Sequence, residues 1–145
     1  MMKHITSYRE SVSSLPWKEC GRVLTALLTS EEWSGERVRL VGRNGMHFVI
    51  AVRGLERADD VLVFRLIADS PDLRHPLTGH VEIRPKTKSS TAIGLMVRAN
   101  LDEEPAQFHL AMRESLTSLS DVLARTIVAA ARIPSRDPEY ADVAS

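Results

Sequence analysis

The sequence predicts an α+β domain: an antiparallel sheet of six strands, two short helices after the first strand, and one long C-terminal helix. Three observations predict it. Between Arg37 and Leu101, five segments alternate apolar and polar residues with a period of two, and turn-forming residues separate them. Within GLMVRANLDEEPAQFHLAMRESL (94–116) this alternation stops at Asp102, and beyond Pro105 apolar residues recur every three or four positions. Near the start, YRESVSSLPWKECGRVLTALL passes from an extended segment through a proline into another helical pattern.

HITSYRESV (4–12) forms the first strand, with Thr6, Tyr8, Glu10 and Val12 on one side and Ile5, Ser7, Arg9 and Ser11 on the other. In the helix that follows, Ser14 is the expected cap and Pro16 suits the first turn, where a missing N–H costs nothing. Trp17, Val23, Leu24, Leu27 and Leu28 supply its apolar side. Ser30 and Gly35 bracket one further helical turn.

The sheet then proceeds strand by strand. Val38 and Leu40 alternate with Arg37 and Arg39, and Asn44-Gly45 is a tight-hairpin signal because both residues accept positive φ. Met46, Phe48, Ile50 and Val52 share the next apolar face; Leu62, Phe64, Leu66 and Ala68 oppose Arg65. Val81 and Ile83 alternate with His80, Glu82 and Arg84, and Ile93, Leu95, Val97 and Ala99 alternate with Gly94, Met96 and Arg98. Short turns at 56–60 and 86–90, and a longer connection with two prolines at 70–79, join these strands as a meander. One apolar and one charged face per strand is the pattern of a sheet packed on one side and wet on the other.

The last helix is expected from Pro105 to Arg132. Phe108, Met112, Leu116, Leu119, Val122, Leu123, Ile127 and Ala130 fall within about 140° of its circumference, while Gln107, Glu114, Ser118, Asp121 and Arg125 lie opposite. Such a helix spans about 42 Å, longer than the roughly 20–33 Å of the strands, so one helix can cross the whole sheet. The domain is expected over 1–133, with a loose tail over 134–145.

The chain has 145 residues, enough for one core, and 19 basic residues balance 19 acidic ones. That balance speaks against a global field for nucleic acid. A single cysteine, Cys20, excludes an intrachain disulfide and a cysteine-based zinc cluster. No apolar run approaches the roughly 18 residues of a spanning helix, and MMKHITSYRESVSS lacks the apolar centre of a signal peptide. The expected location is cytoplasmic.

Two stretches, YRESVSSLPWKECGRVLTALLTSEEW and HVEIRPKTKSSTAIGLMVRANL, resemble the START/Bet v 1-like helix-grip superfamily (SRPBCC), which includes polyketide cyclase/dehydrase-like and lipid-transport-like proteins. The first resembles the family's strand, proline turn and helix; the second resembles its last hairpin. The resemblance implies a curved sheet of about six to seven strands wrapped around the C-terminal helix. It also implies a cavity between them for an apolar or aromatic ligand; no cofactor is expected.

The leading expectation is therefore a protein that binds a hydrophobic small molecule or lipid. Phe48, Ile50, Phe64, Leu66, Val81, Ile83, Leu95, Val97, Phe108, Met112 and Leu116 would line the site. One alternative is a cyclase/dehydrase-type enzyme acting on a hydrophobic substrate, with Tyr8, Glu10 or His109 moving the proton. Another is a dimeric protein-interaction module of secretion-chaperone type, which would place a helix between the middle strands. Leu110 and Val128, outward on the last helix, would offer a homodimer contact. His75 and His80, with Asp69 and Asp72 nearby, lack a metal-ligand pattern, and Cys20 reads as a packing residue. Arg37, Arg39, Arg53, Arg65, Arg84 and Arg98 form the charged outer face, either as a site for an acidic partner or as a solvated surface.

Overall fold

The computed structural model describes residues 4–41, 45–71, 73, 75–102 and 105–132. The elements follow the order β1 (His4–Ser13), α1 (Trp17–Leu28), α2 (Glu31–Ser34), β2 (Val38–Val41), β3 (His47–Ala58), β4 (Val61–Asp69), β5 (Leu77–Thr87), β6 (Ser90–Asn100) and α3 (His109–Arg132). A 3₁₀ turn, Ala106–Phe108, precedes α3. Expectations for Arg43, Asn44, Asp72 and the tail at 134–145 lie outside the described residues. Gly45, at the end of the expected hairpin, has φ +85°.

One antiparallel sheet holds all six strands in the order β1-β6-β5-β4-β3-β2. Strands β2 to β6 are the expected meander. The first strand closes the arrangement by pairing with the last along its whole length, from His4↔Asn100 to Ser13↔Thr91. The sheet curls, and α3 lies in its concave side, chiefly against β1 and β6. One face of each central strand is therefore buried: Leu62, Phe64, Leu66 and Ala68 on β4, Val81 and Ile83 on β5, Leu95 and Val97 on β6.

The stripe on α3 meets this face through Met112, Leu116, Leu119, Leu123 and Ile127, all buried. Each such side chain contributes about 1.5–3 kcal/mol of transfer free energy. Leu24, Leu28 and Trp33 close the core from α1 and α2. Two buried hydroxyls tie the layers at one end. Ser13 donates to the Ala131 carbonyl at 2.9 Å, and Thr91 donates to the Leu15 carbonyl at 2.8 Å.

Several local expectations are corrected. Pro16, not Ser14, is the N-cap of α1, and Ser13 Oγ accepts from the Leu15 N–H at 3.1 Å. Ser30 does cap α2 by backbone geometry, but its hydroxyl donates back to the Leu27 carbonyl. Ser118 and Val128, expected on the wet side of α3, are both buried, because β1 lies along that flank of the helix. Leu110 is exposed, but the pair cannot form one outward contact.

Strand β3 is longer than expected and contains a register shift between Val52 and Gly54. Before the shift, Ile50 and Val52 face the core. After it, Leu55 is opposite Phe64 and Arg57 is opposite Leu62, so odd-numbered residues now share the concave face. An extra residue in one strand reverses facing beyond it, which is how a bulge re-aims side chains.

If α3 is the cover of this core, truncating its middle is costly. Leu123→Ala should lower unfolding stability by about 2–5 kcal/mol in denaturant titrations, whereas Leu110→Ala should stay within about 0.5 kcal/mol.

Candidate functional site

The concave face and α3 bring the expected lining together. Phe48, Ile50, Phe64, Leu66, Val81, Ile83, Leu95, Val97, Met112 and Leu116 belong to one continuous apolar cluster. Nothing is described of the Phe108 side chain, whose backbone lies in the 3₁₀ turn. Among the described residues this face is closed to solvent: Ile50, Phe64, Val81, Ile83 and Val97 are each 0% exposed and Leu95 and Leu116 2%. The ten side chains belong to one packed cluster, and they do not line the clefts that open among the described residues at β1–α3, under the β3–β4 hairpin and beside β2–β3.

Two polar atoms interrupt this seam. Ser120 Oγ is buried on α3 and has no hydrogen-bond partner among the described residues. Thr117 and Thr126, on the same helix, donate to the carbonyls four residues back; Ser120 does not. Arg9, on the concave side of β1, reaches Asp121 of α3 at 3.5 Å, but its Nε is buried without a partner. A buried polar group left unpaired costs about 1–3 kcal/mol, so the β1–α3 seam is less well satisfied than the rest of the core. Asp121 is held on the other side by Arg125 at 2.6 Å.

The three candidates for proton transfer do not converge. Thr6, Tyr8, Glu10 and Val12 form the outer side of β1, and all four are exposed. Tyr8 lies across the outer face over Gly94, where a Cβ would sit 2.6 Å from its hydroxyl; the missing side chain makes room for the ring. Glu10 thus points away from the core, and no carboxylate stands in apolar surroundings there. The alternation in β1 is too weak to orient the strand from sequence, and Ser13, buried at its end, decides it. His109 is half-buried at the first turn of α3.

Elsewhere, His75 is exposed, and His80 is half-buried, 4.0 Å from Glu82. Among the described residues, no three His, Cys, Asp or Glu side chains are grouped so as to hold a metal ion. The outer arginines are exposed. Arg53 pairs with Glu36, Arg65 with Glu56, Arg84 with Glu82 at 2.8 Å, and Arg98 with His4 Nδ1 at 3.1 Å. Cys20 is fully buried in α1. Burial pushes its thiol up, and the neighbouring Ser13 and Thr91 hydroxyls offset this in part.

No helix among the described residues is long and apolar enough to cross a membrane. No helix interrupts the described residues between β2 and β6, unlike the secretion-chaperone-type alternative.

No family profile and no curated protein matches the chain. Solved structures do. A START superfamily protein from Mycobacterium smegmatis aligns over 88% of this chain and 96% of its own, at 12% identity and a TM-score of 0.50. Norcoclaurine synthase from Thalictrum flavum, solved with dopamine and hydroxybenzaldehyde, aligns over 88% of each chain at 8% identity and a TM-score of 0.48. The Zhui aromatase/cyclase from Streptomyces sp. R1128 aligns over 90% of this chain and 92% of its own, at 15% identity and a TM-score of 0.45. At such identities the likeness extends to the fold alone.

Cys20 gives a pH test of the packing. Folding favours the neutral thiol, so its contribution to stability is complete below the unfolded thiol's pKa and is lost as pH rises through the raised folded value. Stability should therefore fall in the alkaline range, and Cys20→Ala should flatten that part of the profile. In the native wild-type chain a thiol reagent should react only at the rate of unfolding.

Proposed function

We propose that this START/Bet v 1-like helix-grip fold serves to bind a hydrophobic small molecule or lipid between the concave sheet and α3. The single observation that carries the reading is the composition of that seam. It is apolar from Phe48 to Leu116, with one partnerless hydroxyl, Ser120, in its wall. The cyclase-type alternative loses Tyr8 and Glu10, which stand on the outer face, and keeps only the half-buried His109 of its three candidates.

Because the seam is filled by side chains, binding requires α3 to ride outward along β1. The guest then replaces the leucine contacts that the helix gives up. Only a ligand with a large apolar surface can do so, because each leucine returned to water costs about 1.5–3 kcal/mol. A hydroxyl or carbonyl on the guest would complete Ser120, and the β1 side is where the seam is held least well.

Native mass spectrometry against fatty acids, sterols and polycyclic aromatics tests this reading. A one-to-one adduct is expected. Ser120→Ala should raise the melting temperature of the free protein and weaken ligands with a polar head about tenfold, leaving purely apolar ligands unchanged. No adduct across the panel, or equal loss for both ligand types, would contradict it.

A further inference from the structure

A second site lies where the hairpin of β3 and β4 overhangs α1, remote from the seam in its chemistry. A cleft of about 610 Å3 opens there, within the size range of small-molecule pockets. On α1 its wall is one face of the helix: Trp17, Gly21 and Thr25 in one row, Lys18, Arg22 and Ala26 in the next. On the hairpin it is Arg57, Asp59 and Leu62.

Two backbone features build it. Gly21 lets α1 approach the hairpin so closely that a Cβ would lie 3.2 Å from Leu62 Cδ1. The bulge in β3 turns Arg57 onto the concave side, opposite Leu62 and towards α1; regular alternation would have placed it on the outer face. The floor is thus aromatic and aliphatic, and the rim carries three cations against one carboxylate.

Those cations differ from four of the six outer arginines; among the described residues Arg37 and Arg39, like them, have no side-chain partner. Arg53, Arg65, Arg84 and Arg98 each have a partner, as does Arg125 on α3. Among the described residues no ion pair or hydrogen bond engages Lys18, Arg22, Arg57 or Asp59, and all four are exposed. Uncompensated positive charge around an apolar floor is complementary to a molecule with both properties.

We infer that this cleft binds a small amphipathic anion: an alkyl or flat aromatic group lying on Trp17 and Leu62, with a carboxylate, sulfate or phosphate held by Arg22 and Arg57. A guanidinium pair suits such a head, since each offers a planar fork of donors. The site needs no movement of α3, and it stands whether or not the seam opens.

The test is a ¹H–¹⁵N titration of the full chain with octyl sulfate below its micellar concentration. Saturable shifts are expected at residues 17–26 and 57–62. The double change Arg22→Ala with Arg57→Ala, checked by an otherwise unchanged spectrum, should weaken binding at least about tenfold. Arg22→Lys with Arg57→Lys should retain part of the affinity and covers the case of an unfolded double alanine. Octyl glucoside, which has the same tail and no charge, should not shift these residues. Shifts confined to Leu95, Leu116 and their neighbours would overturn the assignment, as would equal binding of the neutral detergent. Binding to phosphatidylglycerol vesicles through these residues, without binding of the free anion, would also overturn it.

Discussion

One helix has to cover the concave side of six strands, and the structure depends on that packing. Met112, Leu116, Leu119, Leu123 and Ile127 of α3 share one core cluster with the apolar rows of β3 to β6. α1 and α2 close what α3 leaves open, with Leu24, Leu28 and Trp33. The first strand and the end of the last helix hold this cover in place. β1 pairs with β6 over its full length, and Ser13 then fastens β1 to the last turn of α3. Strand pairing between the first and last strands and helix packing are therefore coupled, and loosening either exposes the same core.

This constraint shapes what the molecule can do. Of the three candidates for proton transfer, Tyr8 and Glu10 stand on the outer face, and His109 is half-buried at the first turn of α3. In the proposed function, space for the guest comes from moving α3, which sets a demand on ligand size. The two unpaired polar atoms, Ser120 Oγ and Arg9 Nε, sit on the helix and on the edge strand that flanks it. The cleft under the β3–β4 hairpin has a different logic: its apolar floor is already open, and its charges are already exposed.

Much of this is legible in the sequence, for reasons of period. The inner rows at Leu62–Ala68 and Val81–Ile83 alternate and the burial follows them, whereas on β6 Thr91 to Leu95 are buried on both faces. The change of rhythm at Asp102 marks the passage from β6 to α3. Three features are not legible. The bulge at Val52–Gly54 inverts facing without leaving a mark in the apolar pattern, so the inward turn of Arg57 is hidden; Gly54 within a strand is the available signal. β1 has no strongly apolar side, so the orientation of Tyr8 and Glu10 comes from its neighbours. The burial of Ser118 and Val128 comes from β1 lying along α3, a tertiary contact that a helical wheel does not contain. Alternation also identifies which residues face inward, but not whether the space between them is filled, and here Phe48, Phe64 and Leu116 fill it.

The central claim is that a filled apolar seam opens to admit a guest beneath α3. Intermolecular NOEs between a bound apolar ligand and selectively labelled Leu, Ile and Val methyl groups test it most directly. The account predicts contacts to Leu95, Val97 and Leu116 from the same ligand, because these methyls meet only inside the seam. Contacts restricted to exposed groups such as Leu110, Val12 and Val41 would contradict it.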